Sequence, residues 1–205
     1  VINQGQNREF NAYKGTYKGI DVSVVSTGIG CPSTAIAVEE LSHIGAEVFI
    51  RIGTSGSVDK SAKKGDIFIA TAAVRDDGTS KQYIPIEFPA IASHNVVSSL
   101  IKASKNLNID SKVGICQSKD SFFGETEPER MPVAPYLDFK WKSWQQGGVG
   151  ASEMEAATLF TLSQIKRLEA GAILAIETSD KETIKKMTEI VLESITYMER
   201  EKNVS

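Results

Sequence analysis

AEVFIRIGTSG, residues 46–56, is an apolar run that ends in an arginine and a turn made only of Gly, Thr and Ser. Arg51 closes a segment that otherwise reads as a buried strand. A charge at that place needs a partner or a ligand. A Gly/Thr/Ser turn at a strand end presents backbone N–H groups and hydroxyls together, and such a concavity suits phosphate. A guanidinium beside it adds a forked cationic donor. Ligands in open α/β sheets sit outside the carboxyl ends of strands, where Gly53 and Thr54 fall. The alternative is an arginine satisfied by a carboxylate above a plain turn. The segment alone leaves both open.

Similar apolar runs recur on either side: DVSVVS at 21–26, GDIFIATAAV at 65–74, KVGICQS at 112–118 and GAILAI at 171–176. Several are too continuous for a half-exposed strand and predict a sheet covered on both faces. Helical patterns lie between them. CPSTAIAVEELSHIGA, residues 31–46, has Pro32 and Ser33 as a start and Gly45 as a stop, with Ala37, Val38, Leu41 and Ile44 on one face. SHNVVSSLIKASKNLNI and ASEMEAATLFTLSQIKRLE read as two further helices. A last helix from about residue 179 carries Ile184, Met187, Val191, Ile195 and Met198 at helical spacing. Strands interleaved with helices predict an α/β fold in one domain spanning residues 1–205.

Two stretches stand apart. Residues 120–148, DSFFGETEPERMPVAPYLDFKWKSWQQGG, are rich in Pro, Gly and aromatics and read either as a pocket wall or lid, or as a surface excursion. GAILAI passes to a charged helix start through very few residues. The turn there is tight, or residues near 176–177 are absent. The chain also opens on Val1 rather than Met, which suggests a missing N-terminal segment.

Composition excludes several classes. The 205 residues are 41% hydrophobic with a net charge of -3 and no long basic run, which argues against nucleic acid and anionic membranes as partners. No apolar stretch reaches the length of a membrane span and no secretory pattern is present, so a cytoplasmic location is expected. Cys31 and Cys116 lack metal or redox spacing and read as free thiols. The loop STGIGCPS at 26–33 offers glycines before a helix start, an anion or ribose environment. It is neither a dinucleotide fingerprint nor a P-loop.

Taken in order, NREF (7–10), STGIGCPSTAIAVEEL (26–41), FIRIGTSG (49–56), KGDIFIATAAVRDDG (64–78), EFPAIA (87–92), SKDSFFG (118–124) and SEMEAATLF (152–160) resemble the uridine phosphorylase branch of the hexameric nucleoside phosphorylase family. The resemblance runs from about residue 7 to 176. It implies a three-layer αβα sandwich around a mixed central sheet. It implies a homodimer or a hexamer built as a trimer of dimers. It also implies reversible phosphorolysis: a pyrimidine nucleoside, uridine first, plus inorganic phosphate gives free base and ribose 1-phosphate. A purine phosphorylase, a nucleosidase or a catalytically impaired nucleoside-binding homologue on the same fold are the alternatives.

Residue roles follow the same resemblance. Arg51, Gly53 and Thr54 correspond to phosphate ligands, and Arg8 to an arginine that completes the neighbouring subunit's site. Glu153, Met154 and Glu155 fall at the ribose contacts, with Arg51 and Glu155 as the catalytic pair. Phe122 falls beside the base. Glu9, Ile29 and Ser33 match positions that hold a monovalent cation, potassium, at the dimer interface of some members. No other cofactor is implied.

Physical sense supports these roles. Glycosidic cleavage builds positive charge on the sugar. A carboxylate such as Glu155 can orient the ribose hydroxyls and favour that charge. Its spacing, Ser152-x-x-Glu155, equally fits a helix capping box. His43 and His94 lie near helix ends and read as surface or capping groups.

Three departures bear on function. One is that the family's base-contacting loop and flap after GAILAI have no counterpart before the last helix. A Gly-Asp-Pro phosphate loop and a ribose 5′-hydroxyl contact have no counterpart in these residues. The family's base-reading glutamine falls on Glu125 or Thr126, with Arg130 as the accompanying arginine. A glutamine amide both accepts and donates, whereas an ionised Glu only accepts. Glu125 is therefore expected to leave the base site one donor short.

Overall fold

The computed structural model describes residues 1–202. The chain begins with β1 (Ile2–Asn7), β2 (Phe10–Tyr17), β3 (Ile20–Val25), α1 (Cys31–His43), β4 (Val48–Ser57) and β5 (Ile67–Asp76). It continues through α2 (Ser80–Tyr83), β6 (Ala90–Ile91), α3 (His94–Asn106), β7 (Lys112–Lys119), α4 (Phe122–Thr126) and a 3-10 turn (Pro128–Arg130). The rest is α5 (Ala134–Gln146), β8 (Val149–Glu153), α6 (Ala156–Lys166), β9 (Glu169–Ile176) and α7 (Lys181–Lys202).

Six strands form a mixed sheet in the order β6-β5-β7-β8-β4-β9, and β9 also pairs with β5, so the sheet closes on itself. Pairs β5–β7, β7–β8 and β4–β9 are parallel, while β4–β8, β5–β9 and β5–β6 are antiparallel. β5 and β9 are long apolar runs; β9 is buried except at its first residue and β5 has no exposed residue, as strands covered on both faces must be. One core lies towards α1 and α6 and contains Val38, Phe68, Leu159, Phe160 and Leu162. The other lies towards α3 and α7 and contains Val96, Leu100, Ile173, Met187 and Ile190. Helices on two sides of a mixed sheet give the expected αβα layering.

Helix limits follow the sequence where the chemistry is local. Pro32 sits in the first turn of α1, and Gly45 follows its end at φ 99°, a backbone that glycine adopts without strain. The buried face differs from the expected one. Thr34, Ala35, Ala37 and Val38 are buried, whereas Ile44 is exposed. α7 keeps Met187, Val191 and Met198 in the core. His43 and His94 are exposed at helix ends, and Cys31 and Cys116 are buried free thiols.

Three expectations need correction, the first being the Gly/Thr/Ser turn after Arg51, since residues 53–56 continue as strand within β4. DVSVVS forms β3, which is half exposed in a separate three-stranded sheet β1-β2-β3 rather than buried on both faces. ASEMEAATLF is not one helix, since residues 151–153 belong to β8 and α6 starts at Ala156. Residues 120–148 fold mostly as α4, the 3-10 turn and α5, and α5 buries none of its side chains fully. At residue 177 the chain turns tightly, one of the two alternatives the sequence left there: Glu177 takes φ 50°. Asp180 then caps α7 by accepting from the Glu182 and Thr183 N–H groups. Those bonds, with the Thr183 and Thr178 hydroxyls, draw the Asp180 carboxyl down to about 2.

Arg75 was not anticipated as a structural centre. Its buried guanidinium donates to Ser80 Oγ and to the carbonyls of Ser80, Ile84, Pro85, Ile86 and Phe88. It thereby holds the loop from α2 to β6 against the end of β5. A lysine ammonium has only three donors and no planar fork. Arg75→Lys is therefore expected to lower stability by about 2–4 kcal/mol, read as a shift in denaturant midpoint.

Candidate active site

The carboxyl end of β4 meets the carboxyl end of β8, with Gly56 opposite Ser152. This pairing brings Arg51 to Glu153 and Glu155, which are far away in sequence. Arg51 Nε donates to Glu153 Oε2 at 2.9 Å, and Nη2 lies 2.5 Å from Glu155 Oε2. The guanidinium lies flat over Gly53, where a β-carbon would stand 2.6–2.7 Å from its atoms. Glycine at 53 is what lets the arginine reach both carboxylates. Nη1 makes no hydrogen bond among the described residues. Burial works against the Arg51 charge, but the Glu153 and Glu155 carboxylates outweigh it and hold its pKa above the ordinary value.

The two carboxylates do different work. Glu153 accepts from the N–H groups of Glu155 (2.8 Å) and Ala156 (2.9 Å) and from the Ser118 hydroxyl. It caps α6 and is fully engaged. The capping box that Ser152-x-x-Glu155 could have formed is not made; Glu153 accepts from the first N–H groups of α6 instead. Glu155 is left to accept from the Gly30 N–H at 2.5 Å and to face Arg51. Burial raises the Glu155 pKa above 4.5. Arg51 opposes that rise and the neighbouring Glu153 adds to it.

Gly30 ties the STGIGCPS loop into the same site. Arg8 and Glu9 form the tip of the β1–β2 hairpin, with Arg8 exposed at φ 52°. Glu9 lies against Gly28 and accepts from the Ser33 hydroxyl at 2.7 Å. That bond, first among its causes, lowers the Glu9 pKa. Two of the three residues implied for a cation therefore meet, while Ile29 is exposed. Within one chain these two side-chain oxygens do not form a cage.

Other expected residues divide. Thr54 is exposed at the rim and Met154 is half-buried between the two glutamates. Phe122 is exposed and packs edge-on against Phe123 with ring centroids 5.5 Å apart. Thr126 bonds only to the Phe122 carbonyl, and Arg130 pairs with Glu127 over the Phe123 ring. Arg130 is thus turned to its own segment. Glu125 does reach the sheet, where it meets Lys119 and Ser152. Lys119 escaped sequence reading because nothing in SKDSFFG marks it as inward. No group of His, Cys, Asp and Glu among the described residues could hold a metal ion. No helix among them is long and apolar enough to cross a membrane.

An arginine within β4, held between carboxylates at and just past the end of β8 and tied to the Gly30 loop through Glu155, is a polar, multi-segment site. Comparison with known proteins says which lineage built it. A profile described as the phosphorylase superfamily matches residues 1–202. The chain belongs to the phosphorylase superfamily. Within it, a uridine phosphorylase of Treponema pallidum is 46% identical over 172 residues, 84% of this chain and 67% of that protein. A uridine phosphorylase of Thermococcus kodakarensis is 45% identical over 83% of this chain and 62% of its own length. A guanosine phosphorylase of Halorubrum lacusprofundi is 40% identical over 84% and 67%. The chain thus spans about two thirds of the length of these relatives. The superfamily's chemistry takes phosphate as co-substrate, so a phosphorylase site must hold an anion and a sugar close together.

Proposed function

We propose that this chain catalyses reversible phosphorolysis of a pyrimidine nucleoside, uridine foremost, to the free base and ribose 1-phosphate. A phosphate oxygen attacks C1′, the C–N bond breaks, and its electron pair leaves with the base. The observation that carries the reading is the largely buried Arg51 of β4, set against Glu155. In the proposed roles Arg51, Thr54 and the Gly53 backbone hold phosphate. Glu155 and Met154 hold ribose. Glu153 keeps the α6 terminus in place. Phe122 covers the base. Phosphate takes Arg51 by displacing Glu155, and the freed carboxylate accepts from the ribose hydroxyls. Fixed donors that meet charge as it develops are the main source of rate in such chemistry.

Arg8 stands exposed on a hairpin tip and would complete the site of a second copy in a homodimer or hexamer. A monovalent cation shared between two copies would find Glu9 and Ser33 there. The single domain is proposed to act in nucleoside salvage in the cytoplasm.

One observation favours a second reading. Two carboxylates already neutralise Arg51, which weakens its pull on a dianion and suits a nucleosidase that uses water. The two are separated by turnover of uridine, thymidine, inosine and adenosine with and without phosphate. Phosphorolysis predicts uracil release that requires phosphate and yields ribose 1-phosphate. Equal release without phosphate, with free ribose as product, would establish the hydrolase.

A further inference from the structure

Glu125 is not alone at the rim. Lys119, the last residue of β7, places its ammonium 2.5 Å from Glu125 Oε2 and donates to Ser152 Oγ at 2.7 Å. The Ser152 hydroxyl also meets Glu125 Oε2 and lies 2.7 Å from Gln117 Oε1. Gln117 in turn donates to Asp76 at 2.8 Å, and Asp76 pairs with Lys140 of α5. Both side chains of the Lys119–Glu125 pair are largely buried, with 9% and 14% exposure. A buried pair fixed by this many bonds keeps one geometry.

Two hydrogen-bonding positions in the cluster are unspent. An ammonium has three donors and Lys119 uses two, one on Glu125 and one on Ser152. Glu125 Oε2 takes both of the carboxylate's bonds, and Oε1 makes none among the described residues. Oε1 lies over Gly56, where a β-carbon would stand only 3.0 Å from it. Ser152 also precedes Glu153, which holds Arg51. Neighbouring residues of a strand face opposite ways. Gly56, however, pairs with Ser152, lies under Glu125 and shares a face of β4 with Thr54, so the cluster borders that proposed phosphate ligand.

We infer that Lys119 and Glu125 act together as the base-reading element, with Oε1 as acceptor and the third Lys119 N–H as donor. Side by side they present what one carboxamide presents. Their complement is a lactam edge, an N–H next to a C=O. Uracil, thymine, hypoxanthine and guanine carry that edge, whereas cytosine and adenine carry the reverse one, a ring nitrogen next to an amine. The donor that Glu125 lacks is thus supplied by Lys119. The identity of the ligand rests on the phosphorolysis reading, and the edge preference rests on the pair together with a ribose that sets one orientation of the base.

The test compares the unaltered protein with Lys119→Met and with Lys119→Met/Glu125→Gln. It uses kcat/KM for uridine and inosine against cytidine and adenosine, calorimetric binding of uracil against cytosine, and melting temperature. The unaltered protein is expected to prefer lactam bases at least about tenfold, and Lys119→Met to lose about 10–100-fold of that preference. The phosphate KM should stay unchanged. The double variant should regain most of the preference, since a single amide offers both donor and acceptor. Lys119→Met that keeps the preference, or a double variant that regains melting temperature without the preference, overturns the inference. So does failure to bind either base. Phosphate-dependent cleavage without edge preference would leave phosphorolysis standing and remove this inference. Uracil binding that depends on Lys119 without phosphate-dependent cleavage would do the opposite.

Discussion

Arg51→Met is expected to lower phosphate-dependent cleavage of uridine by about a thousandfold, through loss of the donor that faces the attacking dianion. The same change should destabilise the fold by about 3–5 kcal/mol, because it strips a buried cation from two carboxylates. The two effects can be separated. Glu153 keeps its bonds from the Glu155 and Ala156 N–H groups and from Ser118. Glu155 keeps the Gly30 and Met154 N–H groups but no cation. Adding Glu155→Gln to Arg51→Met should therefore recover a good part of the melting temperature and none of the activity. Steady-state rates across a phosphate series, with a thermal melt on each variant, read both. An unchanged phosphate KM in Arg51→Met would remove the residue from the proposed role.

Glu155→Gln alone should cost about a hundredfold in kcat/KM for the nucleoside, since a neutral amide holds the ribose hydroxyls less firmly. It should also change the pH dependence. Burial, partly opposed by Arg51 and reinforced by Glu153, holds the folded-state pKa of Glu155 above 4.5. Accepting from the ribose requires the carboxylate, so the acid limb of activity should fall at a pH above that ordinary value. Stability runs the other way. A carboxyl with a raised folded-state pKa contributes stability that is fully present below its unfolded value and is lost as pH rises through the folded one. The variant should show neither the shifted acid limb nor that loss of stability. A pH profile identical to the unaltered protein's would assign the limb to another group.

Local rules carried much of the fold. Pro32 and Gly45 marked α1 because each acts through its own backbone. The uninterrupted runs in β5 and β9 marked strands covered on both faces. DVSVVS obeys the same rule yet lies half exposed, because an apolar run does not say which sheet it joins. Residues 120–148 looked irregular because Pro and Gly signals dominate, although α5 still forms between Ala134 and Gln146. The sequence singled out Arg51 and Gly53, but the turn expected at residues 53–56 is part of strand β4. The neutralisation of Arg51 by Glu153 and Glu155 was not legible, since only the β4–β8 pairing joins residues 102 positions apart. Of the two readings of Arg51 left open by the sequence, the structure shows the carboxylate-paired one, and the anion-binding one stands as the proposal. Lys119 was missed for a related reason. A lysine at a strand end normally faces solvent, and only the fold of α4 brings Glu125 back to it.

The account turns on Arg51 changing partners. The most direct measurement is a crystal structure of the protein with bound phosphate. The account predicts the anion against Gly53 and Thr54, with the Arg51 guanidinium moved onto it and away from Glu155. Phosphate bound elsewhere while Arg51 stays locked to both Glu153 and Glu155 would contradict it.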